Sequence, residues 1–174
     1  AAFERCGLET VEFTGKREEI PSSMFYDCNS LKTVILPSTL KSIGNTAFYS
    51  CDELSSITFP DGLERIGDGA FSDCYNLNEV TIPASVTYLG SEGASGLGSA
   101  FGSSGLTTVH LEDGRTEIPG YAFANCRNLT NINIPSTVTG IGNYSFGIVK
   151  ALGILNFHQD LQVLEWVHLH VHSH

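Results

Sequence analysis

The chain has little positive charge. Among its 174 residues, nine are Lys or Arg and 19 are Asp or Glu, which gives a formal net charge of −10 and a pI near 4.9. Binding to nucleic acid or to an anionic membrane surface relies on basic patches that attract phosphate groups. The composition therefore argues against both, and no nucleic-acid partner is predicted.

Long apolar runs and nucleotide signatures are also missing. No run of 18 apolar residues occurs, so no membrane insertion is predicted, because a spanning helix needs about that length. The chain contains no Gly-x-x-x-x-Gly-Lys-Ser/Thr phosphate loop. It also shows no signal peptide, but it opens in the middle of a repeating pattern, as expected of a piece of a longer protein.

Cysteine is scarce, and its placement is regular. The phrase "AFYSCDELSSITFP" at residues 47–60 returns as "AFSDCYNLNEVTIP" at residues 70–83, with the cysteine in the same place. All five cysteines lie three residues after a Phe that recurs at intervals of 22 or 23 residues, and once of 30. The recurring Phe positions are Phe3, Phe25, Phe48, Phe71, Phe101, Phe123 and Phe146.

After each Phe, a Leu opens the phrase Leu-x-x-(Val/Ile/Leu)-x-(Ile/Leu/Phe). A period of 20–29 residues containing this phrase is typical of leucine-rich repeats. We therefore predict an α/β repeat: a right-handed leucine-rich-repeat solenoid over residues 1–157, with a parallel concave sheet of about seven strands and short helical or 3₁₀ convex segments. The strands should begin near Leu8, Leu31, Leu54, Leu77, Leu106, Leu129 and Leu152.

The cysteine column is interpreted as a core column. Unpaired cysteine behaves as a small, buried hydrophobe, and Ser104 and Val149 fill the same position in two units. Disulfides between neighbouring units are the alternative, but five is an odd number and side chains in a ladder point the same way. No Cys-x-x-Cys occurs, so neither a metal site nor a cofactor is predicted.

At this point the chain resembles a known family. The segment "LPSTLKSIGNTAFYSCDELSSITFP" keeps Phe, Cys, Leu and Pro in the register of the BspA-like, or surface-antigen type, leucine-rich repeat, and the resemblance covers about residues 2–157. The resemblance implies a secreted or cell-surface protein of host-associated bacteria or protozoan parasites. It also implies adhesion to host matrix or microbial surface proteins, with no catalytic residues to carry over.

Three departures from the repeat are candidate sites. Residues 91–99 ("SEGASGLGS") lengthen the fourth unit, which predicts either a tolerated loop or a convex binding loop. Arg17 and Arg115 stand where Leu40 and Leu63 stand in other units. A charged residue there should reach solvent, so we expect both turns to bulge outward as variant turns or as a charged rim patch.

The third departure is the tail, residues 158–174. His168, His170 and His172 alternate with apolar residues, which is a strand pattern with three imidazoles on one face. A capping strand shielded by Trp166, a tail derived from cloning, and a Zn²⁺ or Ni²⁺ site are the alternatives. A cap or cloning-derived tail is favoured, because no Cys or acidic ligand stands alongside the histidines.

The outward positions of the concave strands form the candidate binding face. It is rich in Thr, Asn and Ser and nearly free of aromatic anchors. This pattern predicts a protein-binding or adhesion module, extracellular or on a cell surface; the alternative is a structural spacer within a larger surface protein. The candidate residues are Thr33, Ile35, Ser56, Thr58, Glu79, Thr81, Thr108, His110, Asn131 and Asn133.

An enzyme is the third functional class. Ser56, Glu79 and His110 form a superficially triad-like set on the concave face. They are one and two units apart, roughly 5 and 10 Å, which is too loose for a hydrogen-bonded relay. We therefore expect no catalysis.

Overall fold

The structure is a computed structural model that describes residues 2–91, 98–149 and 162–163. Within these residues the chain contains short strands and turns, and no helix. The strands are β1 (Thr10–Glu12), β2 (Glu19–Ile20), β3 (Thr33–Ile35), β4 (Ser42–Ile43), β5 (Arg65–Ile66), β6 (Glu79–Ile82), β7 (Tyr88–Leu89), β8 (Thr108–Leu111), β9 (Glu117–Ile118), β10 (Asn131–Asn133), β11 (Gly140–Ile141) and β12 (Gln162–Val163).

The Leu-x-x-(Val/Ile/Leu) phrases form the concave ladder, and every pairing in it is parallel. β1 pairs with β3, and β6, β8 and β10 form a second group with β8 in the centre. Alternate residues point to opposite faces of a strand. Val34, Val80 and Val109 are therefore buried, while their neighbours face outward.

The prediction of seven concave strands is confirmed for five units. The seventh phrase, from Leu152, lies outside the described residues. No strand is assigned in the third phrase, so the ladder is interrupted between β3 and β6. In that unit Ser55 and Ser56 lack the branched β-carbon that favours strands, and the ring of Phe59 turns inward to pack edge-on against Phe71 at 5.6 Å.

A second parallel ladder, which was not predicted, runs along the solenoid and is formed by the short segments that follow the turn after each concave phrase. One part has the order β2-β4-β5-β7, and the other has the order β12-β11-β9. Each strand is two residues long and buries its second residue wherever burial is described, as Ile43 and Ile66 do. Leu40, two residues before β4, is also fully buried, so the chain turns inward at this point with an extended backbone.

The prediction of helical or 3₁₀ convex segments is wrong. In every unit the second residue after the Phe has a positive φ, which ends any right-handed helix. The Phe amides donate outward to the next unit, as Phe25 does to the Ala47 carbonyl at 2.8 Å and Phe48 to Ala70 at 2.9 Å. The segments are therefore turns joined across units. The positive-φ residues are Arg5, Asp27, Ser50, Asp73, Ser103, Asn125 and Ile148.

The core is a set of continuous columns along the solenoid. The seven Phe rings stack in sequence with centroid distances between 5.3 and 6.4 Å. The cysteines are all free thiols, and all are buried except the half-buried Cys6. Cys74 donates its thiol hydrogen to the Phe48 carbonyl at 3.1 Å, and burial raises the pKa of Cys74 to about 12. The interpretation of this column as core is confirmed.

The two variant turns differ from each other. Arg17 is exposed, and its guanidinium lies 5.7 Å from the Phe13 ring centroid. Arg115 is only 4% exposed, so the expectation that both turns bulge outward is wrong for Arg115. Its guanidinium turns inward because it donates to the Pro83 carbonyl of the preceding unit at 2.8 Å.

In the lengthened fourth unit, the residues at the two ends of the insertion are hydrogen-bonded to each other. Gly90 and Ser99 form an antiparallel bridge, and Ser91 donates to the Gly98 carbonyl at 2.7 Å. Residues 92–97 and the three tail histidines lie outside the described residues. Within the segment predicted to be a cap or tail, Gln162–Val163 pair with β11 and continue the second ladder.

Candidate functional site

The concave ladder places the ten predicted residues on one surface. Nine of the ten are exposed, and Thr108 is half-buried. They occupy the outward positions of their units because their neighbours, such as Val34 and Ile57, fill the core. Whether this surface binds a ligand stays a prediction.

The register arranges these side chains in rows. In the C-terminal group, Glu79, Thr108 and Asn131 form one row, and Thr81, His110 and Asn133 form the next. In the N-terminal group, Thr33 pairs with Thr10 and Ile35 with Glu12. Ser56 and Thr58 lie in the unit without an assigned strand. The candidate face is therefore two hydrogen-bonded patches flanking one irregular unit.

His110 and Glu79 are closer than the sequence analysis expected. The His110 Nε2 and Glu79 Oε1 atoms are 2.8 Å apart, because Glu79 reaches diagonally from the first row to the second. The expectation that all three triad-like residues are too far apart for hydrogen bonding is therefore wrong for this pair. Ser56 shares no hydrogen bond with either of them among the described contacts, so no nucleophile joins the pair.

The side chain of Asn133 forms hydrogen bonds with the backbone of the neighbouring strand. Its side-chain Nδ2 donates to the Leu111 carbonyl at 3.1 Å, and its Oδ1 accepts from the Leu111 amide at 2.9 Å. The side-chain amide thus imitates one more rung of the ladder. Asn133 fixes the edge of the face, whereas Asn131 is exposed and has no such bond among the described contacts.

Ile35 is the single large apolar side chain among the ten, and it is 49% exposed. The other residues are small and polar, apart from the Glu79–His110 pair. A face of this kind offers hydrogen-bonding groups and one apolar contact, but no aromatic anchor. Protein interfaces draw most of their affinity from Trp, Tyr and Arg, so one such face should bind weakly.

The aromatic residues missing from the concave face lie on the convex side. The rings of Tyr26 and Tyr49 stack with centroids 4.9 Å apart, and Tyr75 is 58% exposed. A hydrogen bond to Asp73, together with burial, raises the pKa of Tyr49 above its usual value. The sequence analysis missed this cluster, although a Tyr directly after the Phe in two successive units was a visible signal.

Two further features were sought within residues 2–91, 98–149 and 162–163. No group of three or more His, Cys, Asp and Glu side chains there is arranged to hold a metal ion. In the same residues, no helix has the length and apolarity needed to cross a membrane.

Comparisons with known proteins identify the repeat. A family model for the BspA type leucine rich repeat region matches residues 1–95 and 98–166 in six copies. No curated protein matches the chain.

Several solved structures share the fold. A leucine-rich repeat protein from T. pallidum is 28% identical, with a TM-score of 0.59, and the match covers 77% of this chain and 73% of that protein. The pneumococcal vaccine antigen PcpA is 19% identical (TM-score 0.61; 84% of this chain and 42% of that one). A leucine-rich repeat protein from Eubacterium ventriosum is 18% identical (TM-score 0.56; 92% and 64%). The last two likenesses show the fold alone, and this chain spans less than two thirds of either protein.

Proposed function

This chain belongs to the BspA-type leucine-rich repeat family, and on that premise we propose that it is a non-catalytic protein-binding module of a secreted or cell-surface protein. The partner is a host-matrix or microbial surface protein, bound through the concave ladder. The observation that carries the proposal is the face itself: an extended row of exposed polar side chains on a hydrogen-bonded backbone. Family membership supports an interaction role, because repeat solenoids present extended concave binding surfaces.

The absence of large anchors shapes the expected affinity. Without Tyr, Trp or Arg on the face, a single fragment should bind weakly, and further repeats or many copies per cell would supply avidity. The hydrogen bond between Glu79 and His110 holds a polar pair at a fixed place on the face. The patch around β6, β8 and β10 should therefore contribute more to recognition than the patch around β1 and β3.

The test is to add charge to the face without touching the core. A Thr58→Arg, Thr81→Arg, Asn131→Arg variant alters three exposed side chains of the concave side. A matched variant, Ser38→Arg, Asn76→Arg, Ser136→Arg, adds the same charge at exposed positions elsewhere. Attachment to immobilised extracellular-matrix proteins and to intact microbial cells is measured for both, together with urea unfolding.

We expect the concave variant to lose attachment while it stays folded, and the matched variant to keep both. Equal attachment by the two variants would contradict binding through the concave face. Loss of attachment on deletion of residues 91–99 alone would place the binding surface at the insertion. No attachment by the unmodified protein would favour the alternative role, a structural spacer in a longer surface protein.

A further inference from the structure

The second ladder is interrupted between β7 and β9, and the sequence explains why. At four other junctions a glycine amide donates to a carbonyl of the preceding unit, at distances between 2.8 and 3.1 Å. Pro119 takes the place of that glycine in the fifth unit, and proline has no N–H to donate. The four intact pairs are Gly44 to Ile20, Gly67 to Ile43, Gly90 to Ile66 and Gly142 to Ile118.

The interruption leaves two neighbouring amides without their usual acceptor. In the second unit, Lys41 and Ser42 both donate to the Glu18 carbonyl, at 2.8 and 3.0 Å. The equivalent amides of the fifth unit belong to Thr116 and Glu117, and no hydrogen bond joins either of them to Thr87 in the part of the chain that is described. Both N–H groups at this junction are therefore without the acceptor that the other units supply.

A cleft of about 360 Å³ occupies this junction. Val86 and Thr87 line one side, and Arg115, Thr116, Glu117 and Pro119 line the other. The volume lies at the lower end of the range of roughly 300–1,000 Å³ for small-molecule sites. The cleft is thus a polar recess with an apolar wall. It lies where β7 and β9 are not paired, away from the concave face.

Arg115 places a buried positive charge beside the cleft. One guanidinium nitrogen bonds the Pro83 carbonyl at 2.8 Å and another lies 3.5 Å from the Glu117 carbonyl, while Nε has no partner among the described residues. No carboxylate of the described chain forms an ion pair with it. Burial lowers the pKa of Arg115, and the nearby charge of Glu112 opposes this only in part. A buried charge without a counter-ion is destabilising, so an anion bound beside it would be favoured.

We propose that this cleft is a binding site for the carboxylate group of a small acidic ligand. The carboxylate oxygens accept hydrogen bonds from the Thr116 and Glu117 amides and lie against the Arg115 guanidinium. Val86 and Pro119 contact the carbon skeleton of the ligand. The side chains of Glu112 and Glu117 repel a doubly charged group more strongly than a single carboxylate, so the site selects against phosphate.

The other units supply the test variants. Leu40 and Leu63 occupy the Arg115 position in two of them and are fully buried, so Arg115→Leu should fold. Arg17→Leu makes the same change at the equivalent exposed position and is the matched control. Pro119→Gly provides the missing amide for the Leu89 carbonyl and should close the recess.

The experiment titrates the isotopically labelled full chain with glucuronate, glucose and inorganic phosphate, following the backbone amide resonances. We expect glucuronate to shift Thr116 and Glu117 saturably and the other two compounds not to. Arg115→Leu should weaken glucuronate binding about tenfold or more, the effect of losing a charged hydrogen bond. Pro119→Gly should also weaken it, whereas Arg17→Leu should leave it unchanged.

A charge test separates this proposal from a site that recognises hydroxyl groups. Glu117→Gln removes a repulsive carboxylate and should tighten glucuronate binding about two- to threefold. Equal shifts with glucose, preference for phosphate, or unchanged binding by Arg115→Leu would each overturn the proposal. So would the absence of saturable shifts with glucuronate. None of these results bears on attachment through the concave face.

Discussion

The two ladders of this solenoid are interrupted at different junctions, but the column of stacked Phe rings continues past both breaks. The concave ladder stops between β3 and β6, and the second ladder stops between β7 and β9. Across the second of these breaks the rings of Phe101 and Phe123 still stack, with their centroids 6.4 Å apart. The comparison indicates that side-chain columns hold the units together and that strand pairing is locally dispensable.

The two interruptions also differ in consequence. The concave one is covered, because Ile57 and Phe59 stay buried beneath the unit that lacks an assigned strand. The other leaves a cleft, because Pro119 removes a donor and Arg115 replaces a core leucine. One break is thus covered by packed side chains, whereas the other leaves two backbone donors without their usual acceptor beside a buried charge.

The largest expected effect comes from breaking the Phe column in the unit where the concave ladder is interrupted. Phe71 is fully buried and stacks between Phe48 and Phe101. Phe71→Ala should lower the free energy of unfolding by about 3–5 kcal/mol, the usual result of deleting a buried ring. Urea denaturation followed by circular dichroism measures this change. Tyr75→Ala, at an exposed position in the same unit, is the control and should change stability by less than about 0.5 kcal/mol.

The second effect has the opposite sign. Arg115→Leu removes a buried charge and restores the side chain of the other units, so we expect it to stabilise the protein by about 1–3 kcal/mol. Arg17→Leu is exposed and should stay within about 0.5 kcal/mol of the unmodified protein. Destabilisation by Arg115→Leu would show that the bond to the Pro83 carbonyl holds the two units together.

A substitution in the cysteine column also tests whether side-chain columns stabilise the solenoid, with a smaller expected loss of stability. Cys51 is fully buried, and burial raises its pKa above the usual value. Cys51→Ala should leave a small cavity and lower stability by about 1–2 kcal/mol. Thiol titration should find five reactive groups in denaturant and almost none in the native state, because the thiolate is the reactive form. Rapid native labelling of several cysteines would mean that the column faces solvent.

The smallest expected effect belongs to the exposed pair on the concave face. Glu79→Gln and His110→Ala should each change stability by less than about 0.5 kcal/mol, because solvent-exposed ion pairs contribute little. Unfolding measurements at low and high salt provide the check. A loss similar to that of Cys51→Ala would show that this pair is part of the fold rather than of a surface.

The sequence predicted those parts of the fold that repeat in register. The Phe, Cys and Leu columns and the parallel concave strands follow from apolar spacing, and the structure confirms them in the described units. The convex helices were wrong because apolar spacing of three residues fits a helix and a turn equally well. The turn differs from a helix by the positive φ of residues such as Asp27 and Ser50. Asp or Ser in a sequence indicates a positive φ less strongly than Gly does.

The candidate sites were predictable to different degrees. The outward orientation of the concave residues was predictable, because strand alternation fixes which side chains face outward, whereas their role in binding stays a prediction. The inward turn of Arg115 was missed, because its partner is the Pro83 carbonyl, which is 32 residues away in sequence. The cleft also depends on the absent amide of Pro119, and this could have been recognised by comparing that position with the glycines of the other units.

Hydrogen exchange tests the claim that the columns unite the solenoid. The Phe48 amide bonds Ala70 before the second break, and the Phe123 amide bonds Ser145 beyond it, at 2.9 and 2.8 Å. If the core makes one cooperative unit, both amides should exchange with the same opening free energy, equal to that of global unfolding, and Phe71→Ala should lower both equally. A lower value for one of them, or an effect of Phe71→Ala confined to Phe48, would contradict the account.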